Sequence, residues 1–220
     1  MTLLAIAHRA GNSLTALRAA AAVGADVVEA DVHHRQERLE VRHSKALGPL
    51  PYMWDRNPWH LAHASTIDLH LPELLDAMLP DATLMLDLKG IGSVGRRTAD
   101  LLHERSPDRP VIVCGRWWPA VDAFADRDWA HRVLSARNRL ELVRLRRRVR
   151  GTPAGTLHGV SLHGSLLTPE VVEELRERVE LVMTWGVNDL ATLERVTALG
   201  VNGVISDSVD VLRVVKAGQR

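Results

Sequence analysis

The 220-residue chain has one cysteine, Cys114, so an intramolecular disulfide is impossible and nothing in it demands an oxidising compartment. Long apolar runs are missing too. The first, at residues 3–7, has no basic segment before it and falls short of the ~7–15 residues of a signal-peptide core. No run approaches the ~20 residues of a membrane-spanning helix, and together these absences make a cytoplasmic protein the expectation. There is no excess of either charge: 28 basic side chains stand against 27 acidic ones, which gives no general field for nucleic acid or an anionic membrane. Any preference for anions must be local. A linker rich in proline, glycine and serine is also absent, so nothing divides the chain, and residues 1–220 are expected to form a single domain.

What is present is an ordinary globular composition, 46% hydrophobic and 25% charged, with a strong alternation. Strand-like runs at Leu3–Ala7, Val27–Val32, Thr83–Leu88, Val111–Cys114, Arg132–Ser135, Gly159–Leu162, Leu181–Thr184 and Gly203–Ser206 alternate with helix-like segments. Ser13 and Gly24 read as the start and stop of the first helix. Buried strands alternating with helices predict a parallel sheet, and this number of strands closes a (β/α)8 TIM barrel; an open doubly wound sheet is the alternative. The irregular stretch is 44–70, rich in proline and histidine and containing Trp54 and Trp59. In a compact barrel a loop of that length is expected to be a lid or a binding loop.

The chemistry gathers at strand ends. Glu29 and Asp31 are two residues apart on one strand, so they project from the same face. Like charges at short range and desolvation both oppose burying such a pair, and a divalent cation removes both objections. A second short extended run, Leu39–Val41, leads to His43 and can bring an imidazole back to the carboxylates. His8, Asp87 and Lys89, Arg116, His163, Trp185 and Asp207 also fall at or just beyond strand ends, which is the catalytic face of a barrel. The basic run Arg144–Arg150 lies late in a helix, where it suits the helix dipole and solvent. Trp54, Trp59 and the pair Trp117 and Trp118 either pack the rim or meet an acyl chain or a choline headgroup.

These pieces resemble the glycerophosphodiester phosphodiesterase family, which includes the sphingomyelinase D-like phospholipases. AHRAGN at 7–12, VEADV at 28–32, the histidine at 43, LMLDLKG at 84–90, WGVND at 185–189 and GVNGVISD at 200–207 follow the family's order over nearly the whole chain. The resemblance implies a metal-dependent phosphodiester hydrolase on a TIM barrel. Glu29, Asp31 and Asp87 would bind one divalent ion, and carboxylate ligands favour Mg²⁺ or Ca²⁺ over zinc. His8 and His43 would be the acid–base pair, in an order that the sequence leaves open. Arg9 and Lys89 would hold phosphate oxygens, Trp185 would lie against the substrate, and His163 would either contact substrate or cap its strand.

The chain departs from the family pattern at four points, one being that residues 44–70 look short for the insertion many members carry there. Gly11 stands where a glutamate usually precedes Asn12, Ser44 stands where an aspartate usually follows the second histidine, and the third carboxylate is aspartate where many members have glutamate. The implied partner is a small-molecule phosphodiester, with hydrolysis to glycerol 3-phosphate and an alcohol. An acylated lysophospholipid, cleaved through a cyclic phosphate, is one alternative. A barrel that binds a phosphoryl ligand without turning it over is another.

Overall fold

The structure is a computed structural model and describes residues 2–48, 50–56, 59–66, 69–79 and 82–219. In chain order the elements are β1 (Leu4–Ala7), α1 (Leu14–Val23), β2 (Val27–Arg35), β3 (Arg38–Val41), β4 (Lys45–Ala46), β5 (Tyr52–Arg56), β6 (Trp59–His63) and α2 (Leu71–Ala77). After them come β7 (Thr83–Lys89), α3 (Val94–Arg105), β8 (Val111–Gly115), α4 (Trp118–Asp122), β9 (Ala130–Ala136) and α5 (Arg139–Arg150). The chain finishes with β10 (Gly159–His163), α6 (Pro169–Arg176), β11 (Leu181–Trp185), α7 (Leu190–Ala198), β12 (Gly203–Ser206) and α8 (Val209–Ala217).

Eight of the strands, β1, β2 and β7 to β12, are parallel and form a closed ring, because β1 pairs with β12 on one side and with β2 on the other. This is the expected (β/α)8 barrel; the open sheet is not what forms. Closure removes the exposed edges that an open sheet would carry. Each strand sends alternate side chains inward and outward. Ile6, Val27, Met85, Ile112, Met183 and Ile205 meet inside as an apolar plug, while the outward residues pack against the helices. Space inside is tight: a Cβ on Gly203 would stand 2.8 Å from the Met183 Cβ, so β12 passes β11 only with glycine there. Cys114 lies in the plug, and burial pushes its thiol well above the ordinary value, which keeps it protonated and unreactive.

Local chemistry sets where the helices begin. Ser13, as expected, accepts the Ala16 N–H at 3.1 Å, and Gly24 ends α1 with a left-handed φ of 72°. Asn138, Thr168, Asp189 and Ser208 cap α5 to α8 in the same way. The basic run on α5 is held by neighbouring acids: Arg146 and Arg150 pair with Glu174, and Arg148 with Asp122.

The stretch read as a loop differs from expectation. Of residues 44–70, positions 49, 57, 58, 67 and 68 lie outside the described residues, but β4, β5 and β6 form a separate three-stranded antiparallel sheet. The strands are short, and their side chains are mostly exposed, so no buried alternation marks them in the sequence. Met53 is the exception, with almost no exposure.

At the opposite end of the barrel Asp26 ties the chain termini together. Its carboxylate accepts the Ala5 N–H at 2.8 Å and the Gln219 side-chain N–H at 2.8 Å, and it pairs with Lys216 on α8. Partial burial works against the charge of Asp26, but these partners outweigh it and hold its pKa below the usual carboxylate value. Its stabilising effect is therefore complete above the unfolded pKa near 4 and is lost as pH falls through the depressed folded value. Asp26→Asn is expected to lower stability by about 1 kcal/mol at pH 7 in urea unfolding. The deficit should shrink as the pH drops below 4; a deficit independent of pH would show that the charge contributes nothing.

Candidate active site

Glu29 and Asp31 follow Val27 on the inward face of β2, immediately above the plug. The parallel register sets Asp31 directly beside Asp87 of β7. One carboxylate oxygen from each of Glu29, Asp31 and Asp87 lies within 4.8 Å of the others. Glu29 is 2% exposed and Asp31 is fully enclosed. Burial, followed by repulsion from Asp31, pushes the Glu29 carboxyl up to about 8.

An ammonium reaches this cluster from the end of β7. Lys89, two residues beyond Asp87, places its ammonium 2.7 Å from Asp31 Oδ1 and also pairs with Asp87. Burial opposes the lysine's charge, but the three carboxylates outweigh it and raise its pKa. Burial likewise opposes the charge of Asp31, yet Lys89 and Asn12 hold its pKa below the ordinary value.

The turn after β1 completes the frame. Asn12 donates to Asp31 Oδ2 at 2.8 Å and accepts the Asp31 backbone N–H at 2.8 Å, so side chain and backbone of Asp31 are fixed together. Arg9 takes a left-handed conformation, φ 54°, which few residues other than glycine adopt readily. Its backbone N–H donates to Glu29 Oε2 at 2.6 Å. Gly11 explains the glutamate missing from this turn: a Cβ there would stand 2.6 Å from the Ala30 Cβ, since the turn lies directly on β2. No side chain fits at position 11.

Each of the two histidines has a carboxylate on Nδ1. His8 donates from Nδ1 to Asp207 Oδ1 at 2.9 Å, and Asp207 in turn is held by Asn188. Burial opposes the cationic ring, but the Asp207 bond and the charge of Glu29 raise the His8 pKa above its ordinary value. His43 donates from Nδ1 to Asp55 Oδ2 at 2.7 Å, and its Nε2 accepts from Arg9 Nη2 at 2.8 Å. Arg9 therefore links one carboxylate of the cluster to the second histidine.

The remaining expected residues lie at the same end of the barrel. His163 and Trp185, on neighbouring strands, meet edge to face with ring centres 4.5 Å apart. His163 Nδ1 bonds Ser165, and the ring caps the short helical turn Gly164–Leu166 that follows β10. Arg116 is neutralised by Glu141, its Nη2 lying 2.5 Å from Glu141 Oε1. Four side chains that sequence reasoning did not assign to the site belong to its frame: Asn12, Asp55, Asn188, and His33. Burial and Arg42 drive the His33 imidazole down to about 3, so this ring is neutral.

The carboxylate cluster suits a divalent cation. Its ligands are all oxygen, which matches a hard ion. Among the described residues Asp31 Oδ1 is buried with no aligned hydrogen bond, only the ionic contact with Lys89, and three carboxylates gather around that ammonium.

No protein-family model matches the chain, and no curated protein matches it in sequence. Solved structures match it along almost its full length. A candidate glycerophosphoryl diester phosphodiesterase of Silicibacter pomeroyi superimposes with a TM-score of 0.78 at 16% identity, covering 99% of this chain and 94% of its own. A phosphodiesterase of Oleispira antarctica, solved with the product sn-glycerol-3-phosphate, gives 0.73 at 16% identity over 98% and 97%. A glycerophosphodiester phosphodiesterase of Thermotoga maritima gives 0.70 at 19% identity over 99% and 98%. The chain thus has the fold of these phosphodiesterases.

With no ion bound, the Lys89 ammonium faces the buried carboxylates directly, so Lys89→Met should unfold at lower urea in the presence of a chelator, by roughly 3 kcal/mol. Millimolar Mg²⁺ or Ca²⁺ should restore most of that loss through preferential binding to the folded state. A variant as stable as the parent in chelator, or one that the ion does not rescue, would contradict the description of the cluster.

Proposed function

We propose that the chain is a metal-dependent glycerophosphodiester phosphodiesterase, releasing glycerol 3-phosphate and an alcohol with His8 and His43 as its acid–base pair. The observation that carries this reading is the pairing of two histidines, each with a carboxylate on Nδ1, beside a cluster of three carboxylates at the C-terminal end of a barrel. The shared fold supports it, most directly through the Oleispira antarctica phosphodiesterase with its bound product.

Glu29, Asp31 and Asp87 would hold one Mg²⁺ or Ca²⁺ ion, which when bound supplies positive charge against the phosphoryl oxygens. Lys89 and Arg9 add further positive charge there. In this reading the guanidinium of Arg9 moves from His43 Nε2 to a phosphoryl oxygen as substrate enters, which uncovers the lone pair of the imidazole. His43 then takes a proton from the entering water as its oxygen bonds to phosphorus. His8, whose raised pKa favours the cation, gives its proton to the leaving alcohol oxygen as the other P–O bond breaks. Trp185 and His163 form an aromatic wall for the organic part of the substrate.

A second reading, an acylated lysophospholipid as substrate, has its own observation. The small sheet that carries Asp55 exposes Trp59 (78%) and Leu61 (57%), and the turn before β5 exposes Leu50 (55%), apolar surface suited to an acyl chain. It calls for turnover of lysophosphatidylcholine above that of glycerophosphocholine. The reading without turnover loses much of its motive, because Asp55 occupies the position beside His43 that Ser44 leaves without a carboxylate.

With glycerophosphocholine and added Mg²⁺ or Ca²⁺, His8→Ala and His43→Ala should each lower kcat by about 10²–10⁴-fold. Glu29→Gln should raise the concentration of ion needed for half activity. Turnover undiminished in the histidine variants would overturn the proposal.

A further inference from the structure

We propose that Asp55 is a positioning residue for His43, so that the small antiparallel sheet is a working part of the catalytic frame and not a cover laid over it. The inference deepens the phosphodiesterase reading and rests on it.

The ladder explains how a residue twelve positions away reaches the imidazole. Lys45 pairs with Trp54 and Ala46 with Met53, both antiparallel. Asp55 is the next residue along β5 after the last of these pairs, as Ser44 is the residue before β4, so the register runs toward His43. The chain neighbour of His43 has no carboxylate to offer, and the partner strand brings one within 2.7 Å of Nδ1.

Both ends of this arrangement are held. Arg42, itself buried, pairs with Glu40 through a 2.7 Å bond and donates to the Ser44 carbonyl, which fixes the exit from β3 into β4. Met53 of β5 has almost no exposure, and Trp54 packs against Trp59 with ring centres 5.6 Å apart. Asp55 thus sits on a strand whose residue 53 is buried and whose Trp54 is packed.

The two bonds of the His43 ring demand the same protonation. An ionised carboxylate only accepts, so Nδ1 carries the hydrogen toward Asp55; the Arg9 guanidinium only donates, so Nε2 carries the lone pair. Asp55 selects the tautomer whose lone pair lies on the side of Arg9 and the carboxylate cluster. On the other side of the site Asp207 holds His8 with the same geometry. When the neutral imidazole takes up a proton, the charge of Asp55 stabilises the cation that results.

The isosteric Asp55→Asn tests this, with unchanged near-ultraviolet circular dichroism of the tryptophans as the check that the sheet still pairs. With glycerophosphocholine and the divalent ion present, the variant should lose roughly 10²-fold in kcat while KM stays within about twofold. Long-range ¹⁵N NMR of the His43 ring should give Nδ1–H in the parent and a rise of the Nε2–H form in the variant. Retained kcat overturns the proposal, as does a fall in kcat that follows the melting temperature while the ring signals stay the same, which would make Asp55 a structural tie. A parent ring found as Nε2–H overturns it without any variant. If the parent hydrolyses no phosphodiester, the functional reading fails, and the ring signals alone decide the role of Asp55.

Discussion

The structure depends on one electrostatic constraint: two carboxylates, Glu29 and Asp31, are enclosed at the point where the apolar filling of the barrel stops. Enclosed anions need compensation, and the surroundings are arranged to give it. Lys89 brings an ammonium, Asn12 brackets Asp31 from side chain and backbone, and the left-handed turn at Arg9 aims an N–H at Glu29. The tight packing of that turn on β2 excludes a side chain at Gly11. Burial, with repulsion from Asp31, still raises the Glu29 pKa, and the three carboxylates are spaced closely enough to be compatible with a divalent cation.

Around that cluster the chemistry is distributed between the barrel and an addition to it. His8 and Asp207 sit at the ends of adjacent strands β1 and β12, so the barrel alone fixes their bond. His43 follows a hairpin strand outside the ring, and its partner comes from the separate sheet. One histidine is thus as rigid as the barrel, and the other is as well placed as a short ladder allows. The exposed apolar side chains Trp59 and Leu61 lie on the same small sheet that brings Asp55 to His43.

Much of the fold was legible because parallel barrel strands are buried on both faces and read as short apolar runs separated by helical periodicity. The carboxylate cluster was legible because Glu29 and Asp31 obey the two-residue period of a strand, and because Asp87 and Lys89 end another strand in the same manner. What stayed hidden were partnerships that depend on register. Asp55 lies in a five-residue strand paired with one of only two residues, with little buried alternation, and the surrounding prolines and histidines read as loop. The role of Asp207 was hidden for a related reason: its bond to His8 spans almost the entire chain and exists only because the barrel closes. Gly11 and Ser44, read in the sequence as losses, become intelligible once the close approach to Ala30 and the carboxylate across the ladder are seen.

The most direct test of the account is product analysis by phosphorus NMR on metal-stripped protein incubated with glycerophosphocholine and lysophosphatidylcholine together, before and after addition of Mg²⁺ or Ca²⁺. The account predicts no product without the ion and glycerol 3-phosphate once it is present. Glycerol 3-phosphate formed equally with and without the ion would contradict the central place given to the carboxylate cluster, and no product under either ion would contradict the assignment of a phosphodiesterase.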